Sequence, residues 1–221
     1  MLKSLKKVSI IIPTKEEPYI QELVKRIHKT LSGLSHEIII VDKSKVTPRI
    51  KGAKVIKQKT DGLGNAILEG LEVAKSNLII TMDGDGSHRP EDLPKLIEKI
   101  KDYDIVIGSK YVKGGKTEDK LYRILISRVY CLFASLILGL KVKDSMSGFA
   151  AVRREVYEKV KPNPRGFKIN TELLYKAKKF GFKVVEVPIV FEPRRLGKSK
   201  GTFKEGIRTF RFILELRLGL R

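Results

Sequence analysis

The stretch that decides the fold class covers residues 78 to 88 and reads LIITMDGDGSH. It begins with an apolar run, Leu78–Met82, which is typical of a short buried strand, and two acidic residues, Asp83 and Asp85, follow directly. In an extended chain, residues two positions apart point the same way, and the glycine between them lets the backbone turn tightly. The sequence therefore predicts two carboxylates that converge at the end of a strand.

The rest of the first half alternates between strand-like and helix-like segments. Further strands are predicted at Val8–Ile12, which ends at Pro13, at His36–Asp42, which ends in an acid, at Ala53–Ile56 and at Asp104–Ile107. Helical spacing of apolar residues appears between them at Pro18–Leu31, Gly64–Lys75 and Pro90–Lys101. Near-continuous isoleucine and valine runs between amphipathic helices indicate an α/β fold with a parallel sheet covered on both faces. Such sheets bind ligands at the carboxyl ends of their strands, where Asp42 and Asp83 lie.

The second half is less regular. We expect helices at Leu121–Leu140, Asn170–Phe180 and Phe203–Leu218, a loop entering a strand at Asp144–Val152, and a strand at Val184–Phe191. Pro188 favours an edge or bulged position for that last strand, because proline cannot donate to a sheet ladder. No linker separates two domains, so we expect one α/β domain over residues 1–202, followed by an amphipathic helix at 203–221.

The balance of charge limits the classes of partner. The chain has 221 residues with 46 Lys+Arg against 25 Asp+Glu, a formal net charge of +21. This charge indicates an anionic partner: nucleic acid, an anionic membrane face or a phosphorylated small molecule. With 7% aromatic residues, no Trp and no aromatic-basic interleaving for base stacking, nucleic acid is not expected. The single cysteine, Cys131, excludes an intramolecular disulfide framework.

Two basic segments have apolar faces, Leu121–Leu140 and Phe203–Arg221. Either could lie in a membrane interface or dock on the sheet as an ordinary surface helix. The longest uncharged apolar stretch, Val129–Leu140, has twelve residues, whereas a spanning helix needs about 20. The N-terminal apolar run is shorter than the about 7–15 residues of a secretory signal. We therefore expect neither a signal peptide nor a transmembrane span.

The acid pair has two possible interpretations. Two hard oxygen ligands suit Mg²⁺ or Mn²⁺ held jointly by protein and a diphosphate. The same residues also occur in ordinary glycine- and aspartate-rich loops with solvated acids. Their place at a strand end favours the metal interpretation.

The segment around the acids resembles the D-x-D motif of GT-A glycosyltransferases, and in particular the dolichyl-phosphate mannose synthases and related polyprenyl-phosphate hexosyltransferases. Six further blocks resemble motifs of that family in the same order. They are Ile11–Glu17, with Glu16 in place of Asn; Ile39–Asp42; Gly62–Ala66 with Gly70 and Leu71; Ile107–Tyr111, with Lys110 in place of Arg; Asp144–Phe149; and Phe191–Arg194 with Gly197, Ser199 and Lys200. One D-x-D motif is weak evidence, whereas ordered blocks over most of the chain are strong evidence.

The resemblance implies a GT-A fold and the inverting transfer of a hexose from a nucleotide-sugar donor to dolichyl or polyprenyl phosphate. GDP-mannose is the first choice of donor and UDP-glucose the main alternative. Mg²⁺ or Mn²⁺ would be the cofactor, held by Asp83 and Asp85 with Ser87 as a weak third ligand. The nucleotide sugar would be bound by Pro13, Glu17, Asp42, Gly62, Gly64, Asp83, Gly84 and Asp85. The acceptor phosphate would be bound by Lys110, Arg123, Arg194 and Lys200, which together with Asp85 are the expected catalytic residues.

A polyprenyl acceptor also implies a membrane surface as partner, with the chain peripheral on the cytoplasmic face, and it is compatible with a membrane partner subunit. Four alternatives stay open at this stage. Two are a GT-A transferase with a non-lipid acceptor and a nucleotidyltransferase. The others are a basic nucleic-acid-binding protein on a degenerate transferase fold, and a catalytically silent homologue, which Lys43 and Ser87 suggest because they depart from the family pattern.

Overall fold

Strands and helices alternate along the part of the chain that the computed structural model describes, residues 7–163, 169–194 and 203–220. The strands are β1 (Val8–Thr14), β2 (His36–Asp42), β3 (Lys54–Lys57), β4 (Leu78–Thr81), β5 (Ile105–Ser109), β6 (Lys116–Thr117), β7 (Ala150–Arg153), β8 (Val184–Pro188) and β9 (Val190–Phe191). The helices are α1 (Ile20–Thr30), α2 (Leu63–Val73), α3 (Leu93–Lys99), α4 (Leu121–Leu138), α5 (Arg154–Val160), α6 (Ile169–Lys179) and α7 (Phe203–Arg217). A short 3-10 turn, Pro90–Asp92, precedes α3.

A seven-stranded sheet with the order β3-β2-β1-β4-β7-β5-β8 forms the centre of the fold. Its strand pairs are parallel except those of β7, which runs antiparallel to both β4 and β5. The α/β class with a mostly parallel sheet is therefore confirmed. In this register Thr14 lies opposite Asp42 and Ile11 lies opposite Thr81, so β1, β2 and β4 end at the same edge. The loops that carry Asp42 and Asp83 consequently share one side of the sheet.

Both faces of the sheet are buried, which explains the unbroken apolar runs. Ile11, Ile39 and Ile79 point into one core cluster, whereas Ile10, Ile12, Ile38, Ile40 and Ile80 point into the other. Helix α2 packs close to the first face, because a β-carbon on Gly70 would lie 2.5 Å from Cγ2 of Ile11. The period-two alternation within each strand thus fills two cores at once.

The strand expected at Val184–Phe191 is divided in two. Strand β8 ends at Pro188 on the edge of the large sheet, and β9 pairs in parallel with β6 in a separate two-stranded sheet. The edge position expected from Pro188 is therefore confirmed. The sequence did not predict β6 or α5, because elements of two and seven residues carry too little periodicity to be recognised.

Helices α4 and α7 pack against each other. The ring of Phe210 on α7 contacts Tyr130 and Phe133 of α4, with centroids 4.8 and 4.9 Å apart. Helix α7 also contributes Phe212, Ile213 and Leu216 to the core cluster beneath the sheet. By length and composition α4 is the one helix, among the described residues, that could cross a membrane. The helix is long enough at 18 residues because it begins at Leu121, ahead of the uncharged run Val129–Leu140.

Candidate active site

Asp83 lies where β4 leaves the sheet, with 38% of its side chain exposed toward a cleft. Its N–H donates to Nδ1 of His88 at 3.0 Å. Its carboxylate faces Gly148, where an added β-carbon would lie only 2.9 Å from Oδ1. Restricted hydration, chiefly, and the nearby charge of Asp85 raise the pKa of the Asp83 carboxyl. The loop thus holds one acid open to ligands in a place that disfavours its charge.

Asp85 is held differently, because both of its oxygens are engaged. Oδ1 accepts the N–H of Ser87 at 3.0 Å and its hydroxyl at 2.6 Å. Oδ2 lies 2.8 Å from Nη2 of Arg194, and only 8% of the Asp85 side chain is exposed. Ser87, the weak third candidate for a metal ligand, therefore orients Asp85. The structure also brings Asp85 and Arg194 together, two residues that the sequence assigned to one site.

The segment that carries Arg194 is docked on the acidic loop. Phe191 forms an antiparallel bridge with His88, and the N–H of Glu192 donates to the carbonyl of Ser87 at 2.9 Å. Arg89 adds an ion pair with Glu192 at 3.6 Å. The buried His88 ring stacks on Phe149 and meets Phe191 edge-on, with centroids 5.0 and 5.4 Å apart. His88 therefore joins these segments as a packing residue.

The Asp144–Phe149 block forms the opposite wall of the cleft. Three elements hold this block: β4 through Thr81, β5 through Gly108, and α6 through Asn170 and Thr171. The hydrogen bonds run from Thr81 Oγ1 to the carbonyl of Gly148 (2.9 Å), from Ser147 Oγ to that of Gly108 (2.7 Å), from Asn170 Nδ2 to that of Ser147 (2.8 Å) and from Thr171 Oγ1 to that of Ser145 (2.8 Å). The wall that faces Asp83 is therefore fixed in place.

The cleft between these walls has a volume of about 200 Å³. Asp83, Pro13, Leu63, Gly148 and Asn170 are among its lining residues. The buried Oδ1 of Asn170 has no hydrogen-bond partner within the described part of the chain. A buried acceptor without a protein partner is uncommon and calls for a partner from outside the described residues. The sequence did not single out Asn170, which no quoted motif contains.

Lys110 follows β5 and lies on the ring of Phe191, with Nζ 4.0 Å from the centroid. Its N–H donates to Oδ2 of the buried Asp144 at 3.3 Å. The N–H of Asp144 in turn donates to Oε1 of Glu186 at 2.9 Å. Burial raises the pKa of the Asp144 carboxyl, and the charge of Lys110 opposes that shift. Asp144 and Glu186 are thus supporting residues to which sequence reasoning gave no role.

Asp42 organises the loops after β1 and β2. The buried carboxylate accepts the Thr14 hydroxyl at 3.0 Å, the Ser44 hydroxyl at 2.7 Å and the Ser44 N–H at 3.0 Å. The Ser44 hydroxyl also accepts the N–H of Glu16 at 2.6 Å. A groove of about 560 Å³ lies beside this network, lined by Glu16, Glu17, Pro18, Ser44, Lys45, Val46 and Pro48. Of the predicted nucleotide residues, Glu17 therefore lines this groove, whereas Asp42 is buried and holds Ser44, which lines it.

The other predicted site residues lie as follows. Gly62 has a φ of 104°, which glycine adopts readily, and it immediately precedes α2, in which Gly64 is buried. Gly84 is enclosed, because an added β-carbon would lie 2.8 Å from Cγ2 of Thr14. Arg123 lies in the first turn of α4 and pairs with Asp119 at 3.9 Å, and no contact within the described ranges joins it to the acidic loop. Lys200 lies outside the described residues.

The chain is similar in sequence to known proteins over most of its length. Residues 9–161 match the family model "Glycosyl transferase family 2". Among curated proteins, a "Dolichol-phosphate mannosyltransferase" of Pyrococcus furiosus is 44% identical over 209 residues, which cover 88% of this chain and 59% of that protein. A "Polyprenol monophosphomannose synthase" of Mycolicibacterium smegmatis is 34% identical over 176 residues, 76% of this chain and 64% of that protein. The chain thus spans less than two thirds of the length of these relatives.

Solved structures show the same fold. Glucosyl-3-phosphoglycerate synthase from Mycobacterium tuberculosis, solved with Mn²⁺, UDP-glucose and glycerol 3-phosphate, superposes with a TM-score of 0.75 at 19% identity. The match covers 99% of this chain and 81% of that one. At this identity the likeness concerns the fold alone. On the evidence of its family match and its sheet, this chain belongs to glycosyl transferase family 2 and has the GT-A fold.

Proposed function

We propose that this chain transfers a mannosyl group, with inversion, from a nucleotide-sugar donor to a polyprenyl phosphate, and that GDP-mannose is the donor. The observation that carries the proposal is the convergence of an acid pair at the end of β4 with cations from two distant segments. Arg194 lies 2.8 Å from Oδ2 of Asp85, and the charge of Lys110 acts to lower the pKa of the Asp83 carboxyl. Two anionic substrates have to meet here, and the cations offset their mutual repulsion. The names of the mannosyltransferase relatives support the substrate class.

The site fits a divalent metal of the Mg²⁺ or Mn²⁺ type. Asp83 presents a partly exposed carboxylate to the cleft, and Asp85 lies two residues away. Within the described residues no group of three His, Cys, Asp or Glu side chains gathers, so the protein offers one or two carboxylates. Mg²⁺ is usually held in this way, with substrate phosphates and water completing its shell. When bound, such an ion acts as a Lewis acid toward the departing diphosphate.

The remaining tasks fall to the chain's own residues. An acceptor phosphate monoester is already anionic near neutral pH and needs no strong general base, which agrees with the packing role of His88. Lys110 and Arg194 would position the phosphates, as would Arg123 and Lys200 by the family resemblance. Asn170 lines the cleft, and its Oδ1, once uncovered, would accept a hydrogen bond from a hydroxyl of the nucleotide sugar. The groove beside Asp42 would hold the nucleoside.

A surface of α4 and α7 would reach the lipid acceptor. We call it the apolar stripe and define it by Leu121, Tyr122, Leu125, Ile126, Val129, Leu132 and Leu136 of α4 with Ile207 and Leu214 of α7. These side chains are 45% to 81% exposed. Cys131, Ala134 and Leu138, on another face of α4, are buried against the fold, so the helix lies along the domain. This arrangement supports peripheral attachment to a membrane, whereas the cytoplasmic face and a membrane partner subunit stay predictions from the family resemblance.

The test is a transfer assay with labelled GDP-mannose or UDP-glucose, dolichyl or undecaprenyl phosphate, and Mn²⁺ or Mg²⁺. We expect label in the lipid phase with GDP-mannose and its loss in Asp85→Ala and Lys110→Ala. Lys54→Ala, an exposed substitution on β3, is the matched control. If only UDP-glucose delivers label to the lipid phase, UDP-glucose replaces GDP-mannose as the proposed donor. Transfer only to a soluble acceptor would reject the lipid, and no transfer with any pair would favour a silent homologue.

A further inference from the structure

Arg194 and Asp85 form the direct link between the two loops that frame the cleft. The 2.8 Å contact joins a guanidinium that is 35% exposed to a carboxylate that is 8% exposed. Because Ser87 donates twice to the other oxygen, both oxygens of Asp85 carry donors in this state. Within the described residues, the Asp83 carboxylate forms no ion pair with an arginine or a lysine. Asp85 is therefore ion-paired with both oxygens engaged, whereas Asp83 is open to the cleft.

A divalent cation and a guanidinium compete for the same carboxylate oxygen. Their positive charges repel each other strongly at contact distance in a partly buried site. Arg194 would therefore have to leave Oδ2 before a metal could bind there. Once free, a guanidinium binds phosphate oxygens as well as carboxylates, often through two parallel hydrogen bonds. A nucleoside diphosphate would thus supply the partner that Arg194 loses.

From this geometry we infer that Arg194 is a counter-cation latch on Asp85. Its guanidinium occupies the metal side of the carboxylate until a divalent cation and a nucleoside diphosphate arrive together, and it then exchanges the carboxylate for phosphate oxygens. The inference rests on the proposed function, because it takes Asp85 as a metal ligand. Its consequence is that the metal binds weakly alone and that diphosphate and metal strengthen each other's binding through Arg194.

The exchange needs only a side-chain movement. The backbone of the docked segment is held by the bridge of Phe191 to His88 and by the hydrogen bond from Glu192 to Ser87. Arg194 follows that anchored segment, and a third of its side chain is already exposed. Rotation of an exposed arginine is fast compared with loop rearrangement. The latch can therefore open while the acidic loop keeps its shape.

The test measures Mn²⁺ binding by the loss of the free-ion electron paramagnetic resonance signal, with and without GDP, in the full chain. For Arg194→Gln we expect Mn²⁺ alone to bind about fivefold tighter than to the unmodified chain, roughly the strength of a partly exposed ion pair. We expect the same variant to bind GDP in the presence of Mn²⁺ about tenfold more weakly, because a charge-assisted phosphate contact is lost. Arg194→Lys keeps the charge, so we expect its affinities for Mn²⁺ and for GDP to lie between those of the unmodified chain and those of Arg194→Gln.

Arg211→Gln is the control for charge. Arg211 is 80% exposed on α7 and pairs with Glu215 of the same helix, so its loss removes one positive charge without touching Asp85 or the docked segment. We expect its Mn²⁺ affinity to change less than twofold. Opposite changes for Mn²⁺ alone and for GDP with Mn²⁺ are the signature, because a folding defect would weaken both.

Two outcomes overturn the inference, and they are distinguishable. In the first, Mn²⁺ binds in the presence of GDP and Asp85→Asn abolishes that binding, but Arg194→Gln binds Mn²⁺ alone no more tightly than the unmodified chain. The latch is then wrong, and the metal role of Asp85 stands. If no chain binds Mn²⁺ even with GDP or UDP, the metal role in the proposed function is wrong and the latch falls with it.

Discussion

Gly148 and Asp83 are packed so closely that a β-carbon on the glycine would lie 2.9 Å from Oδ1 of the carboxylate. Position 148 therefore requires a glycine, because any side chain there would collide with the carboxylate of Asp83. The contact also fixes the distance between the two walls of the cleft. Substitutions at either residue should separate the requirements of the site from those of the fold.

Gly148→Ala should displace the Asp83 carboxylate. We expect a ten- to hundredfold lower transfer rate, the approximate cost of misplacing a reacting group by about 1 Å, with a fall in Tm from overpacking. Gly33→Ala is the control, because an added β-carbon there meets no atom within 4 Å. Transfer assays and thermal unfolding of both variants would decide. Full activity in Gly148→Ala would show that the contact does not matter.

Asp83→Asn should stabilise the chain while it removes metal-dependent donor binding. The folded state raises the pKa of Asp83, mainly through restricted hydration. The folded state therefore keeps this proton to higher pH than the unfolded state, and stability falls as pH rises from the unfolded pKa through the folded one. The amide avoids this loss. Solvent screening of a partly exposed group limits the expected gain in Tm to about 1–3 °C at pH 7.

The pH dependence provides the check for Asp83→Asn. Because Asp83 is protonated in both states at low pH, the difference in Tm between the variant and the unmodified chain should shrink as the pH is lowered toward 4. Thermal unfolding at several pH values would measure it, with Asp102→Asn as a surface control. A difference that does not vary with pH, or a lower Tm at pH 7, would contradict this explanation.

The parts of the molecule that were predictable are those with a local signal. The strand before Asp83 is a run of apolar residues followed by acids and glycines, and each of these features acts over a few positions. The antiparallel insertion of β7 between β4 and β5 has no such signal, because strand pairing joins distant residues. In the same way, the pairing of Asp85 with Arg194 could not be read from spacing. Only the family resemblance placed both in one site.

Glu16 is a position where the chain departs from the family pattern, and it should be a point of strain. Its φ of 53° lies in the left-handed region, which asparagine tolerates better than glutamate. Glu16→Asn should therefore raise the free energy of unfolding by about 0.5–1 kcal/mol, while the backbone bond to Ser44 is retained. The same substitution at Lys161, which has a φ of 45° at the end of α5, tests the explanation outside the site and should also raise the stability. Lower stability in Glu16→Asn would mean that the glutamate side chain contributes more than the backbone strain costs.

The apolar stripe should bind membranes without contributing to folding. Leu125 and Leu132 are 64% and 61% exposed, so the double change Leu125→Glu with Leu132→Glu should alter the free energy of unfolding by less than about 1 kcal/mol. Its binding to vesicles that contain anionic lipid should fall at least about tenfold, because two apolar contacts are lost and two repelled charges are added. Vesicle sedimentation measures this effect. Val46→Glu, at an apolar position in the loop after β2 that is 84% exposed, adds one such charge away from the stripe and should bind vesicles as the unmodified chain does. A comparable loss in this variant would assign the binding to net charge instead of the stripe.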